Sequence, residues 1–145
     1  MKQLILNKFT KSAVETFEIG ADFAKNLTCD EVIFMYGEAG AGKTVFTKGL
    51  SKTLGISEEI LSPTFALVNI YESGKFPLYH FDMYRISSEE EAYEAGLLDM
   101  LYGGGIKVIE WSENIREYLD ISVFYTVEIF YREGGREINI YKEQA

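Results

Sequence analysis

Cysteine, proline, histidine, tryptophan and arginine are all scarce in this 145-residue chain: one Cys (Cys29), two Pro, one His (His80), one Trp (Trp111) and four Arg. A single cysteine excludes an intramolecular disulfide and a thiolate metal cage, which fits a reduced, cytoplasmic protein. Cys29 is expected as a small, buried or half-buried residue ahead of a strand. With no Pro/Ser-rich linker, internal repeat or low-complexity tract, residues 1–145 are expected to form one domain. Long apolar runs are missing too: the longest spans about five residues, and the opening MKQLILNKFT is broken by Asn7 and Lys8. Neither a membrane span nor a signal-peptide core is expected, and the chain should be soluble. Positive charge is the last shortage. Against 14 Lys plus Arg stand 23 Asp plus Glu, a net charge of -9, so the cations needed to displace phosphate counterions from RNA are lacking and any RNA role should be indirect. What is present is core material: 47% apolar and 14% aromatic residues, enough to bury a core at this length.

Gln3-Leu4-Ile5-Leu6 can open a strand. Ser12 followed by Glu15 matches a capping box, and Val14, Phe17, Ala21, Ala24 and Leu27 recur at helical spacing, so a helix is predicted from about Ala13 to Leu27. Glu31-Val32-Ile33-Phe34-Met35-Tyr36 reads as a strand covered on both faces. Directly after it comes Gly37-Glu38-Ala39-Gly40-Ala41-Gly42-Lys43-Thr44, followed by an apolar-periodic segment ending near Gly55. This satisfies G-x-x-x-x-G-K-[ST] in the strand, loop, helix context that the pattern needs. The glycines let successive N–H groups turn inward around phosphate oxygens, and the helix N-terminus adds partial positive charge. Lys43, standing exposed in an empty site, would reach the β- and γ-phosphates, and the Thr44 hydroxyl would hold Mg²⁺.

A phosphate loop also needs a carboxylate at the end of a neighbouring buried strand. Two segments end an apolar run with an acid: Phe76-Pro77-Leu78-Tyr79-His80-Phe81-Asp82 and Ile106-Lys107-Val108-Ile109-Glu110-Trp111. Spacing does not rank them, and both can face the phosphates. The first continues as YHFDMYR, for which an edge strand of alternating faces is the simplest local reading. Ala66 to Tyr71 is β-rich after Leu61-Ser62-Pro63-Thr64-Phe65, where Pro63 stiffens the entry. Ser88 with Glu89, Glu90 and Glu91 looks like a helix start. Gly103-Gly104-Gly105 reads as a flexible turn into the strand at Ile106. Two β-rich runs flank Gly134-Gly135, a hairpin signal. The sum is an α/β, three-layer P-loop NTPase-like domain. Strands from Gln3, Glu31, Ala66, Phe76, Ile106, Val123 and Glu137 share one mixed sheet, and helices follow Ser12, Thr44 and Ser88. Tight hairpins at Ser73-Gly74 and Gly134-Gly135 make the sheet mixed parallel and antiparallel.

In their order and spacing, GEAGAGKT, SPTF, HFDMYR and IEW resemble the TsaE family, the P-loop ATPases of bacterial tRNA threonylcarbamoyladenosine biosynthesis, over nearly the whole chain. Where that family commonly has Asp-Leu after the first loop glycine, this chain has Glu38-Ala39, positions that contribute backbone to phosphate binding. The resemblance implies an ATP- and Mg²⁺-binding protein, slow alone and stimulated by partners, required for N6-threonylcarbamoyladenosine at tRNA position 37. It implies Thr44 and Glu110 as metal ligands, Asp82 near the γ-phosphate for hydrolysis, and Lys43 with Asp82 as catalytic residues. The nucleotide would be held by Gly37, Glu38, Ala39, Gly40, Ala41, Gly42, Lys43, Thr44 and Trp111. Arg136 matches a glycine-arginine pair seen near the nucleotide in the family, although a solvated hairpin cation fits the sequence as well. Ser62 and Thr64 resemble a nucleotide-responsive switch, and His80 would buttress Asp82. Implied partners are TsaB and TsaD, with tRNA reached only through them. ATP is favoured over GTP because no N-K-x-D motif exists: the only Asn-Lys pair, Asn7-Lys8, continues Phe9-Thr10. Two rivals remain at this level, a small-molecule P-loop kinase, for which four scattered arginines make a poor lid, and a nucleotide-gated binding module without turnover.

Overall fold

The computed structural model of the chain describes residues 1–63 and 66–144. Seven strands form one sheet in the order β1-β7-β6-β2-β5-β4-β3. They are β1 (Lys2–Thr10), β2 (Val32–Tyr36), β3 (Val68–Tyr71), β4 (Leu78–Asp82), β5 (Ile106–Glu110), β6 (Val123–Arg132) and β7 (Gly135–Gln144). The four central strands, β6, β2, β5 and β4, are mutually parallel. Antiparallel pairs flank them, β7 and β1 on one side and β3 on the other. The expected mixed α/β sheet is therefore present, with its parallel centre made of the runs that read as buried.

Alternation along those runs splits the core in two. Ile33, Met35, Val108, Val127 and Ile129 face α1 (Ala13–Ala24) and α2 (Lys43–Thr53), where Phe23, Phe46 and Leu50 meet them. Val32, Phe34, Phe81 and Ile109 face the other way, onto α3 (Glu89–Glu94), α4 (Leu97–Tyr102) and the segment holding Ile115 and Leu119. Three layers result. The two long helices cross at backbone contact: a Cβ on Gly20 would lie 2.2 Å from the Phe46 carbonyl oxygen and one on Gly49 1.9 Å from that of Phe17. Those two glycines, unremarked in the sequence, set how closely α2 and its N-terminal loop lie on α1.

Ser12 caps α1 as expected, its Oγ accepting from the Glu15 N–H at 3.2 Å. The helix stops at Ala24 and not near Leu27, because Lys25, Asn26 and Leu27 donate three residues back and tighten the last turn. Ser88 likewise caps α3, accepting from the Glu91 N–H. No sequence signal marks α4, whose six residues between Gly96 and Gly103 are too short to display a period, or the 3-10 turn Arg116–Tyr118.

Four local expectations change. β4 is not an edge strand; it sits between β5 and β3, although its faces alternate as read. The β3–β4 link is no tight turn at Ser73-Gly74 but spans residues 72–77. The exit of α2 draws it away, since the Lys75 N–H donates to the Leu54 carbonyl at 2.6 Å and the Ser57 N–H to Ser73 Oγ at 3.0 Å. The β6–β7 turn is Glu133-Gly134, with Gly134 at φ 82° and Gly135 already paired to Arg132. Cys29 is exposed, its thiol directed at Asp30. Thr64 and Phe65 lie outside the described residues, so the switch reading of Thr64 has no structural counterpart here. Among the described residues no helix is long and apolar enough to cross a membrane.

Candidate functional site

The carboxyl ends of parallel β2, β4 and β5 meet at one rim of the sheet, the place where open α/β sheets bind ligands. β2 delivers the loop Gly37–Thr44 there, and α2 begins at Lys43. Gly42 caps that helix at φ 117°, a left-handed value that favours glycine, and no side chain occupies its cap. The helix N-terminus is thus open toward a cleft of about 250 Å³ lined by Gly42, Lys43, Thr44, Ser62, Asp82, Glu110 and Trp111. Every residue assigned a catalytic or metal role from the sequence borders this one cleft.

Asp82 and Glu110 end adjacent strands in direct register. Their side chains therefore emerge on the same face, and both residues are buried, 5% and 6% exposed. Asp82 Oδ1 accepts the Tyr84 N–H at 2.9 Å. Glu110 has two cationic or donor neighbours: its Oε2 bonds His80 Nε2, and its Oε1 lies 3.6 Å from Lys43 Nζ. Burial would push the Glu110 carboxyl up, but hydrogen bonding by His80 and the positive charge beside it, Lys43 included, outweigh that and hold it below the usual glutamate range. Because an ionised carboxylate only accepts, His80 Nε2 carries the proton in that bond. His80 Nδ1 is buried without a hydrogen-bond partner. His80 thus buttresses Glu110, whereas the sequence pointed to Asp82.

Lys43 differs from expectation as well. It is only 6% exposed, folded back onto Glu110 with its Nζ 4.0 Å over the Trp111 ring. Trp111 is held there by a backbone at φ 57°, a left-handed conformation costly for a bulky residue and common at functional sites. Tyr84 packs edge-on against the indole at 5.4 Å. A buried ammonium needs a counter-charge, and Glu110 is within reach. Neither contact was legible in the sequence, since both join residues brought together only by strand register and by the β2–α2 turn.

A second cleft of about 290 Å³ adjoins the first across Gly40, Gly42 and Val45, and is bordered by Thr10, Ser12 and Arg136. Arg136 reaches the loop itself, donating from Nε to the Ala41 carbonyl at 3.1 Å. Glu38 and Ala39 contribute backbone, the Glu38 carbonyl accepting the Ala41 N–H and the Ala39 carbonyl accepting the Tyr131 hydroxyl. Among the described residues no three His, Cys, Asp or Glu side chains cluster to hold a metal unaided. A hydroxyl with one or two carboxylates is, however, a set of hard oxygen donors of the kind Mg²⁺ uses when phosphates and water complete its shell.

A family model described as "Threonylcarbamoyl adenosine biosynthesis protein TsaE" matches residues 10–138. The chain belongs to the TsaE family. Similar TsaE proteins include that of Treponema pallidum, 41% identical over 134 residues, covering 90% of this chain and 96% of the relative. The TsaE of Rickettsia prowazekii is 44% identical, covering 74% of this chain and 75% of its own, and that of a Nostoc species 36% identical, covering 95% and 89%. Among solved structures, the crystal structure of Bacillus subtilis YdiB superposes with a TM-score of 0.81 at 30% identity, covering 100% of this chain and 88% of that one. TsaE proteins are named for threonylcarbamoyladenosine biosynthesis on tRNA, and this member has the α/β, P-loop-like fold that its sequence announced.

Proposed function

We propose that this TsaE-family chain binds ATP with Mg²⁺ in the cleft at the rim of β2, β4 and β5, hydrolyses it slowly, and thereby acts as a nucleotide-dependent partner of TsaB and TsaD in tRNA threonylcarbamoylation. The supporting observation is the convergence of Lys43, Thr44, Asp82 and Glu110 on one cleft beside an open helix N-terminus. A γ-phosphate entering the loop offers Lys43 a stronger counter-charge than Glu110, so the ammonium turns to the phosphates and Glu110 is released. Thr44 and Glu110 would then hold Mg²⁺, which supplies charge neutralisation of the β- and γ-oxygens. Asp82, in register with Glu110 but outside its ion pair, is free to orient the attacking water. The adjoining cleft offers the nucleoside a seat bounded by Thr10 and Ser12, with Arg136 at its border.

An acidic chain in a tRNA-modifying family is consistent only if partners hold the RNA. Exchange of Lys43 between Glu110 and a phosphate gives the nucleotide states different surfaces, which differential binding to TsaB–TsaD requires. The test is phosphate release by the purified protein, alone and with TsaB, TsaD and tRNA, together with co-elution in ATP analogue, ADP and no nucleotide. Slow release that accelerates in the complex, with docking strongest in the ATP analogue, is expected. Equal co-elution in all three states, with full multi-turnover modification by Asp82→Ala, would instead make the protein a passive binding module.

A further inference from the structure

The β6–β7 hairpin lies outside the cleft that holds the acids, yet its tip is bonded to the glycine-rich loop at two points. Tyr131 and Arg136 face each other across the hairpin register, and the guanidinium carbon lies 4.2 Å over the tyrosine ring. The Tyr131 hydroxyl donates to the Ala39 carbonyl at 3.0 Å, and Arg136 Nε donates to the Ala41 carbonyl at 3.1 Å. Between the two carbonyls sits Gly40, where a Cβ would come within 2.8 Å of the Tyr131 hydroxyl. The hairpin tip is itself fixed: a Cβ on Gly135 would lie 2.0 Å from the Thr10 carbonyl oxygen, so this end of β7 rests on β1 backbone.

A loop that turns its N–H groups inward to cradle an anion turns carbonyls outward. Water can satisfy those carbonyls but cannot fix their direction, whereas two donors on a braced hairpin can. We infer that Tyr131 and Arg136 are positioning residues that preorganise the phosphate cradle by gripping its outward carbonyls, with neither side chain touching the nucleotide. This deepens the nucleotide-loop reading above and rests on it. It also explains why Arg136 borders the nucleoside cleft while its guanidinium points at backbone.

Preorganisation acts on every ligand of the cradle alike, because its benefit is ordering avoided on binding and not a contact with one part of the ligand. Wild type, Tyr131→Phe, Arg136→Met and the double variant are to be titrated by calorimetry with Mg-ADP and with Mg-tripolyphosphate, which has no base or ribose. Amide hydrogen exchange across residues 38–44 is followed in the unliganded proteins. Each single change should weaken both probes by the same factor, about 3- to 10-fold for one hydrogen bond, and should speed exchange in the loop while the melting temperature stays near that of wild type. Tyr131 is 42% exposed and both positions lie at a hairpin tip, so the variants are expected to fold. Weakened Mg-ADP with unchanged tripolyphosphate affinity in Arg136→Met would overturn the inference by placing Arg136 on the nucleoside. Unchanged loop exchange in both variants would overturn it too. Failure of wild type to bind either probe would sink the nucleotide reading itself, while the exchange comparison still decides whether the hairpin grips the loop.

Discussion

The parallel centre of the sheet and its antiparallel wing solve different problems. β2, β5 and β4 are packed on both faces, and at their carboxyl ends they hold Lys43, His80, Asp82 and Glu110 in near-complete burial. On the wing, β7 places Ile138 and Ile140 against α1 and α2, while its alternate residues Glu137 and Asn139 meet Asn7 of β1 in polar contact. In the centre, each ionisable group depends on a partner, because an unpaired charge there is costly. On the wing, charges are screened and individually worth little. The same type of residue, an acid in a strand, is therefore buried and held by partners in one half and screened by solvent in the other.

The sharpest break should come at Lys43. Lys43→Ala removes both the phosphate ligand and the counter-charge of Glu110, so turnover should fall by about 100-fold or more, with Mg-nucleotide affinity strongly reduced by calorimetry. Unchanged affinity and turnover would detach the loop from function. Next, the two central acids should separate. Glu110→Ala is expected to reduce the Mg²⁺-dependent part of nucleotide affinity by roughly 10- to 100-fold, whereas Asp82→Ala keeps binding within about 3-fold and loses turnover. Equal loss of affinity in both would merge their roles.

Acid should also distinguish the regions. Glu110 has a folded-state pKa held below its ordinary value of 4.5, so its contribution is fully present above that value and is lost as pH falls through the lower, folded one. Melting temperature in wild type should drop on acidification below about pH 4.5, and Glu110→Gln should flatten part of that drop. An identical acid limb in both proteins would mean that the His80–Glu110–Lys43 contacts add nothing to stability. Least of all should change on the wing: Arg132 and Glu137 pair at 2.9 Å but stand 50% and 30% exposed, and Glu137→Gln should leave the midpoint of denaturant unfolding close to that of wild type.

What the sequence disclosed follows the same division. Seven strands, the long helices and the glycine-rich loop between β2 and α2 were legible because periodicity and capping are local signals: Val32 to Tyr36 is apolar throughout, and Ser12 stands three residues before Glu15. The candidate acids were legible for a related reason, since Asp82 and Glu110 each close an apolar strand. Partnerships were not. His80 sits 30 residues from Glu110, and only the β4–β5 register sets them together. The burial of Lys43 depends on Trp111 at the end of another strand, and the grip of Tyr131 on Ala39 spans 92 residues. Gly20 and Gly49 meant close helix packing, which a glycine in a helical period does not announce.

On the proposed function, the γ-phosphate of a bound nucleotide draws Lys43 away from Glu110 and Trp111. Trp111 is the only tryptophan, with the Lys43 ammonium 4.0 Å above its ring, so its fluorescence during titration with a non-hydrolysable Mg-ATP analogue reads that displacement directly. A saturable change is expected, with a midpoint equal to the calorimetric affinity, and it should be absent in Lys43→Ala. Calorimetric binding of the Mg-ATP analogue with no change in Trp111 emission would contradict it, placing the nucleotide away from the cleft where the loop, the two acids and the indole meet.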